Sequence, residues 1–207
     1  LKRYVFHESG TLVSGIIGGL YSSTATISVL ARKSRKASEQ EATDYVAAML
    51  LAVSMMFLRF MILILIFSRE IFLSIYPYLL TMAVVAAIVA WFIHSRQKRP
   101  EDQPAETEED DSSNPLEFKV ALIFAVLFVI FTFLTHYTLV YAGTGGLNLL
   151  SFVSGFSDIT PFILNLLQNT GSVAALIITA CSMQAIISNI MVNMFYALFF
   201  AGKGSKL

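Results

Sequence analysis

The sequence predicts an all-α fold, a polytopic transmembrane helical bundle, and three observations lead there. Of 207 residues, 56% are hydrophobic and 14% charged, with a mean hydropathy of +0.70, whereas a soluble domain carries about 25% charged residues. Charge is also segregated: seven of the fourteen acidic residues fall within Glu101 to Asp111, and the basic residues gather between apolar runs. The runs left nearly free of charge are about 20 residues or longer, which at 1.5 Å per residue is enough to cross a bilayer core. Backbone polar groups in hydrocarbon must be satisfied internally, so runs of this kind are helices or strands of a closed barrel. Met61-Ile62-Leu63-Ile64-Leu65-Ile66-Phe67 does not alternate as a barrel strand would.

Six segments follow from the pattern. Tyr45 to Phe67, Ile71 to Ile93 and Phe118 to Ala142 are continuous apolar runs, and Val173 to Ala201 is as long but carries Ser182, Gln184, Ser188, Asn189 and Asn193. Gly10 to Ala31 and Leu147 to Leu167 are diluted by Gly, Ser, Thr and Asp158, which makes them either full spans or re-entrant segments. The expected organisation is a first membrane half over 1–94, an acidic cytoplasmic linker over 95–115 and a second membrane half over 116–207. The linker is rich in Glu, Asp, Pro and Ser without apolar periodicity, a composition that does not offset the entropy of ordering.

Basic residues orient the chain. Arg32, Lys33, Arg35 and Lys36 follow the first segment and Arg96, Lys98 and Arg99 follow the third. The short Ser68-Arg69-Glu70 connection makes segments two and three a hairpin, so both basic clusters lie on one side, the cytoplasmic one. Six full spans place Lys2, Arg3, Lys203 and Lys206 outside; re-entrant first and fifth segments bring all four inside.

The two diluted segments share a pattern. Gly19-Leu20-Tyr21-Ser22-Ser23-Thr24-Ala25 stands in the first as Gly155-Phe156-Ser157-Asp158-Ile159-Thr160-Pro161 stands in the fifth, and a long span follows each. A three-plus-three internal repeat with interrupted helices is a transporter-like arrangement. Within the apolar depth only Arg59 and Asp158 are ionisable. A charge there costs about 2.5 to 3.5 kcal/mol on insertion scales, so such residues face an interior or an aqueous path. They serve a permeation path, or they pair with each other or with carbonyls to fix helix register. Pro161 suggests a kink that frees carbonyls near Asp158 and Thr160, an oxygen set suited to a hard cation or a proton. Ser22, Ser23 and Thr24 offer hydroxyls on the same path, although Gly15 and Gly19 have the spacing of close helix packing. Asn189 and Asn193 share a helix face and either cross-link helices or line the cavity. His136 with Tyr137 and Tyr141 reads as an interfacial belt, and Cys181 as a small buried hydrophobe.

The run Ser14 to Thr26, with Ala31-Arg32-Lys33-Ser34, resembles the uncharacterised membrane domain found after MgtC/SapB-type domains in bacterial and archaeal proteins. Met56-Phe57-Leu58-Arg59, Asn114-Pro115-Leu116-Glu117 and Ser154-Gly155-Phe156-Ser157-Asp158 agree with it. The resemblance implies a multi-pass protein of a prokaryotic plasma (inner) membrane with at least one helix before Leu1. It also implies a second Asp where this chain has Thr160 and a Lys where it has Asn193.

Enzymatic motifs are absent: no His-Glu-x-x-His run, no Cys-x-x-Cys pair and no phosphate-binding Gly-Lys-Ser loop. No cofactor is expected, and zero net charge gives no footprint for nucleic acid. The expected partners are the lipid bilayer, an inorganic ion or small solute, and a second copy of the chain in a homo-oligomer. The expected function is an ion or small-solute transporter or channel domain, with a non-transporting structural or regulatory membrane domain as the alternative.

Overall fold

A computed structural model describes residues 10–35, 37–95, 115–169 and 173–201. Most of the linker, with Glu101 to Asp111, lies outside the described residues, as do Lys2, Arg3, Lys203 and Lys206. Among the described residues six helices run in order: α1 Gly10–Ser34, α2 Glu39–Phe67, α3 Arg69–Ser95, α4 Pro115–Ser154, α5 Ile159–Gln168 and α6 Ala175–Phe200. The all-α reading stands, and there is no strand among the described residues.

Helix starts follow from local chemistry. At α2, Ser38 and Glu41 form a capping box, the Ser38 amide donating to Glu41 Oε2 at 2.9 Å and the Glu41 amide to Ser38 Oγ at 3.4 Å. Ser68, standing alone between α2 and α3, accepts from the Ile71 amide at 3.4 Å. Among the described residues five helices, α1 to α4 and α6, are by length and composition long and apolar enough to cross a membrane, and α5 is a shorter apolar helix. Large apolar side chains stand exposed along them, among them Ile66, Trp91, Val140 and Leu176. On a water-soluble surface such an area would be an aggregation liability; facing lipid it is the expected exterior.

The fifth predicted segment, Leu147 to Leu167, is not one helix. Residues 144–154 are the end of α4, four residues of turn follow, and α5 begins at Ile159. α4 itself changes direction at Gly143, whose φ of 57° and ψ of −147° lie outside the helical region and suit a residue without Cβ. A Cβ on Gly146 would meet the Thr138 side chain eight positions back at 2.7 Å, which a straight helix keeps about 12 Å distant along its axis. The first predicted segment is also broken. Ser22 has extended backbone (φ −155°, ψ 105°), and a Cβ on Gly18 would meet the Thr26 side chain, its Cγ2 at 2.9 Å, again across eight positions.

Two compact units are present. The first comprises Leu1–Leu65, Ile75–Ala105 and Asn193–Leu207, the second Ile66–Ser74 and Glu106–Val192. In the first unit Gly15 faces the Ala48 backbone and Gly19 the Ala52 backbone, so residues 10–21 run parallel to α2. Ile27, Leu30 and Ala31 then pack in one cluster with Ala48, Met49 and Ala52, and four residues connect α1 to α2. Residues 23–34 therefore run back along α2, and α1 is a helical hairpin. α2 and α3 form a second antiparallel pair, with Ser54 Oγ donating to the Ala83 carbonyl at 2.9 Å and His94 Nδ1 2.9 Å from Asp44 Oδ1. The end of α6 belongs to this unit: Ala201 joins the Ile27, Leu30 and Ala31 cluster, and the Arg32 guanidinium sits 4.8 Å from the Phe200 ring centre.

In the second unit residues 144–154 run parallel to α6. Cys181 Sγ is 3.5 Å from Asn148 Oδ1, Ser188 Oγ donates to the Phe152 carbonyl at 2.7 Å, and Gly155 abuts Ser188 and the Asn189 backbone. α5 then returns toward the start of α6, six residues away. It packs on the first part of α4 through the Phe131 and Phe162 rings, 5.6 Å apart, and an Asn165 Nδ2 to Thr132 Oγ1 bond of 2.8 Å. Residues 144–154 and α5 are thus a second helical hairpin. Its legs of 11 and 10 residues, like the two 12-residue legs of the first, reach about 15 to 18 Å, roughly half of a 30 Å hydrocarbon core.

Candidate functional site

Each hairpin reverses inside an apolar segment, and a reversal there exposes backbone. The leg running in ends with carbonyls that have no helical partner, and the leg running out begins with free amides. In hydrocarbon no water satisfies them, and each unsatisfied group costs several kcal/mol. The tips are where the sequence has to supply polar side chains, and the candidate residues are found there.

At the first tip Arg59 of α2 serves the carbonyls, its Nη1 donating to the Tyr21 oxygen at 2.7 Å and the Leu20 oxygen at 3.5 Å. The outgoing leg starts at Ser22, whose Oγ accepts from the Ala25 amide at 3.4 Å, the pattern of an N-cap. Thr26 Oγ1 donates to the Ser22 carbonyl at 2.8 Å. Ser23 is buried at 3% exposure, and the Thr24 carbonyl accepts from Ser28 Oγ. Gly15 and Gly19 make the close approach to α2 that their spacing implied, since a Cβ on Gly19 would lie 2.5 Å from the Ala52 Cα.

At the second tip Asn189 of α6 takes the role that Arg59 has at the first. Its Nδ2 donates to the carbonyls of Gly155 and Ser157 at 3.1 and 3.4 Å. Asp158 is the N-cap of α5, accepting from the Thr160 amide at 2.9 Å, with extended backbone and an exposed side chain. Its side chain stands at the N-terminal, positive end of the α5 dipole. Pro161 does not kink a helix, in contrast to the sequence reading. It is the third residue of α5, in the first turn, where the missing N–H has no helical acceptor to lose. The carbonyls near Asp158 are free because the chain reverses at 155–158.

Of the predicted residues, Ser22, Ser23, Thr24 and Arg59 therefore gather at the first tip, and Asp158, Thr160 and Asn189 at the second. Asn193 is buried on α6, one turn past Asn189, and falls in the first unit. Arg59 is engaged by carbonyls and Asp158 by an amide, each within its own unit. Sequence reasoning gave Ser188 no specific role, although its hydroxyl holds the Phe152 carbonyl and its side chain lies against Gly155. The equivalence of Gly19 and Gly155 was the signal that could have led to it. Among the described residues no group of three or more His, Cys, Asp or Glu could hold a metal ion. His136 is exposed, its ring 5.9 Å from that of Tyr137.

Comparisons with known proteins agree with the reach of the sequence pattern. The family described as "Domain of unknown function (DUF4010)" matches residues 1–201. An uncharacterised protein of Aquifex aeolicus is 24% identical over 208 residues, covering 98% of this chain and 87% of the relative. No solved structure matches.

Proposed function

The chain belongs to the DUF4010 family, and we propose that it moves an inorganic ion or small solute across the membrane in which its apolar helices place it. One observation carries the proposal. Two segments in different units break midway into helical hairpins, and their polar tips are each held by a side chain from the helix that follows the hairpin. Packing alone does not require such breaks, because an unbroken helix satisfies its own backbone at no cost in polar side chains. Transporters use discontinuous helices where half-helix ends must meet a solute.

In this proposal Ser22, Ser23 and Thr24 offer hydroxyls and amides at one tip, with the Arg59 charge beside them. Asp158, with the Thr160 hydroxyl and the reversal carbonyls, offers oxygens suited to a hard cation or a proton at the other. Arg59 and Asn189 keep the tips in shape, and Asn193 extends the polar face of α6. The activity is not enzymatic, the membrane is a prokaryotic plasma membrane, and an MgtC/SapB-type neighbour domain rests on the resemblance alone.

The test is flux in proteoliposomes over a panel of monovalent and divalent cations, protons and small anions, with wild type beside Asp158→Asn. Asparagine is also a good N-cap, so fold and thermal stability should hold within about 0.5 kcal/mol while flux or its pH dependence changes. A stable protein without flux for any member of the panel would favour the second reading, a structural or regulatory domain. The engagement of Arg59 by carbonyls is the observation on its side.

A further inference from the structure

The two hairpins are alike in register as well as in shape. Gly19 and Gly155, Ser22 and Asp158, Thr24 and Thr160, and Ala52 and Ser188 all stand 136 positions apart. Each glycine meets its partner on the following helix 33 positions later, Gly19 at Ala52 and Gly155 at Ser188. Ser22 and Asp158 both have extended backbone and both accept from an amide of the leg they start. The carbonyl donors repeat in role and not in position. Arginine reaches the tip from seven residues beyond Ala52, whereas the shorter asparagine has to sit next to Ser188. A register kept at several positions, with backbone conformation, cap and packing partner all matching, is the mark of one supersecondary unit used twice.

The directions of the two copies follow from the chain. Residues 10–21 and α2 start together, on the side that carries Arg32 and Lys33. α2 leaves that side, α3 returns to it, and residues 115–142 leave it again, since each is an unbroken helix of 27 to 29 residues that contains an apolar stretch. The second hairpin goes only half way and comes back. α6 therefore starts on the far side and ends on the basic one, in agreement with the packing of Phe200 and Ala201 against the end of α1.

We propose that this chain is an inverted repeat, in which hairpin and following helix occur twice in opposite membrane orientation. The hairpin tipped by Ser22 is entered from the side of Arg32 and Lys33, and the hairpin tipped by Asp158 from the opposite side. Among the described residues this makes four crossings and two re-entrant hairpins, the scheme that the distribution of Lys and Arg in the sequence favours. The inference concerns sidedness and stands whether or not a solute moves.

Single cysteines in a Cys181→Ser background test it with a membrane-impermeant thiol reagent applied to cells and to inverted vesicles. Gly10→Cys, Ala37→Cys and Gly204→Cys should react from the cytoplasmic face alone. Ser68→Cys, Gly145→Cys and Ala174→Cys should react from the outer face alone. A Cβ at Gly10 or Gly145 meets nothing within 4 Å, so those substitutions are tolerated by the fold, and a position silent from both faces is replaced by its neighbour. Six full crossings would instead move Gly10 and Gly204 to the outer face and Ala174 to the cytoplasmic one. Any of those three reversals overturns the proposal. The predicted pattern in a protein without measurable flux upholds it and counts against transport alone.

Discussion

Replacing Gly18 by Ala isolates the reversal of α1 from everything else in the fold. In a straight helix residues 18 and 26 lie about 12 Å apart along the axis and do not interact. In the hairpin the new Cβ would run into the Thr26 side chain, with Cγ2 at 2.9 Å. Overpacking of this kind costs about 1 to 3 kcal/mol. Thr26→Ala alone removes the bond from Oγ1 to the Ser22 carbonyl, a loss of about 1 kcal/mol. The double variant keeps that loss but relieves the clash, so the pair should show about 1 to 2 kcal/mol of favourable coupling, against about 0.3 to 0.5 kcal/mol of scatter for independent sites. Because the gain in helix propensity from Gly to Ala is present with or without Thr26, it cancels in the cycle. Unfolding in detergent, followed by circular dichroism for wild type, both single variants and the double, supplies the four numbers. Strict additivity would refute the reversal at Ser22. Gly19→Ala is the control: its Cβ meets the Ala52 Cα at 2.5 Å and carbonyl oxygen at 2.6 Å, so Ala52→Gly should rescue nothing.

Other outcomes follow from the tips. Asn189→Ala should destabilise by about 1 to 3 kcal/mol, since it strips the Gly155 and Ser157 carbonyls of their donor where no water replaces it; an unchanged melting temperature would show that the tip is wet. Asp158→Ala should cost about 0.5 to 2 kcal/mol by loss of the α5 cap, and Asp158→Asn much less, a ranking read from the same melts. Asp44→Asn should shift stability by less than about 1 kcal/mol, because the pair with His94 is one-third exposed on both sides, and a larger loss would show that the pair is shielded from water.

Much of this was legible in the sequence, and the residues show why. Composition and charge-free runs gave helices in a membrane, because hydrocarbon leaves the backbone no other choice. The two weak segments were weak for a structural reason: Gly, Ser and Asp dilute hydropathy where the chain reverses. Aligning Gly19 with Gly155 and Ser22 with Asp158 pointed to the tips before any geometry was known. The reversals themselves were not legible, because a helix with a break and a helix without one have nearly the same composition. The four residues 155–158 therefore vanished into a predicted span over Leu147 to Leu167. Pro161 misled for a related reason, since a proline at the third helical position and one in the middle of a helix look alike until the helix start is known. Asn189 was visible as a polar residue on a helix face, but whether it bridged helices or lined a path depended on which carbonyls had been freed.

The distance between the two ends of α1 tests the hairpins most directly. Spin labels at Gly10 and Lys33, in a Cys181→Ser background and a lipid nanodisc, read it by pulsed electron resonance. Two antiparallel legs with axes about 8 to 10 Å apart predict a distribution centred below about 20 Å once label length is included. An unbroken helix would place the same labels near 35 Å, and a peak there would contradict the hairpin and the repeat built on it.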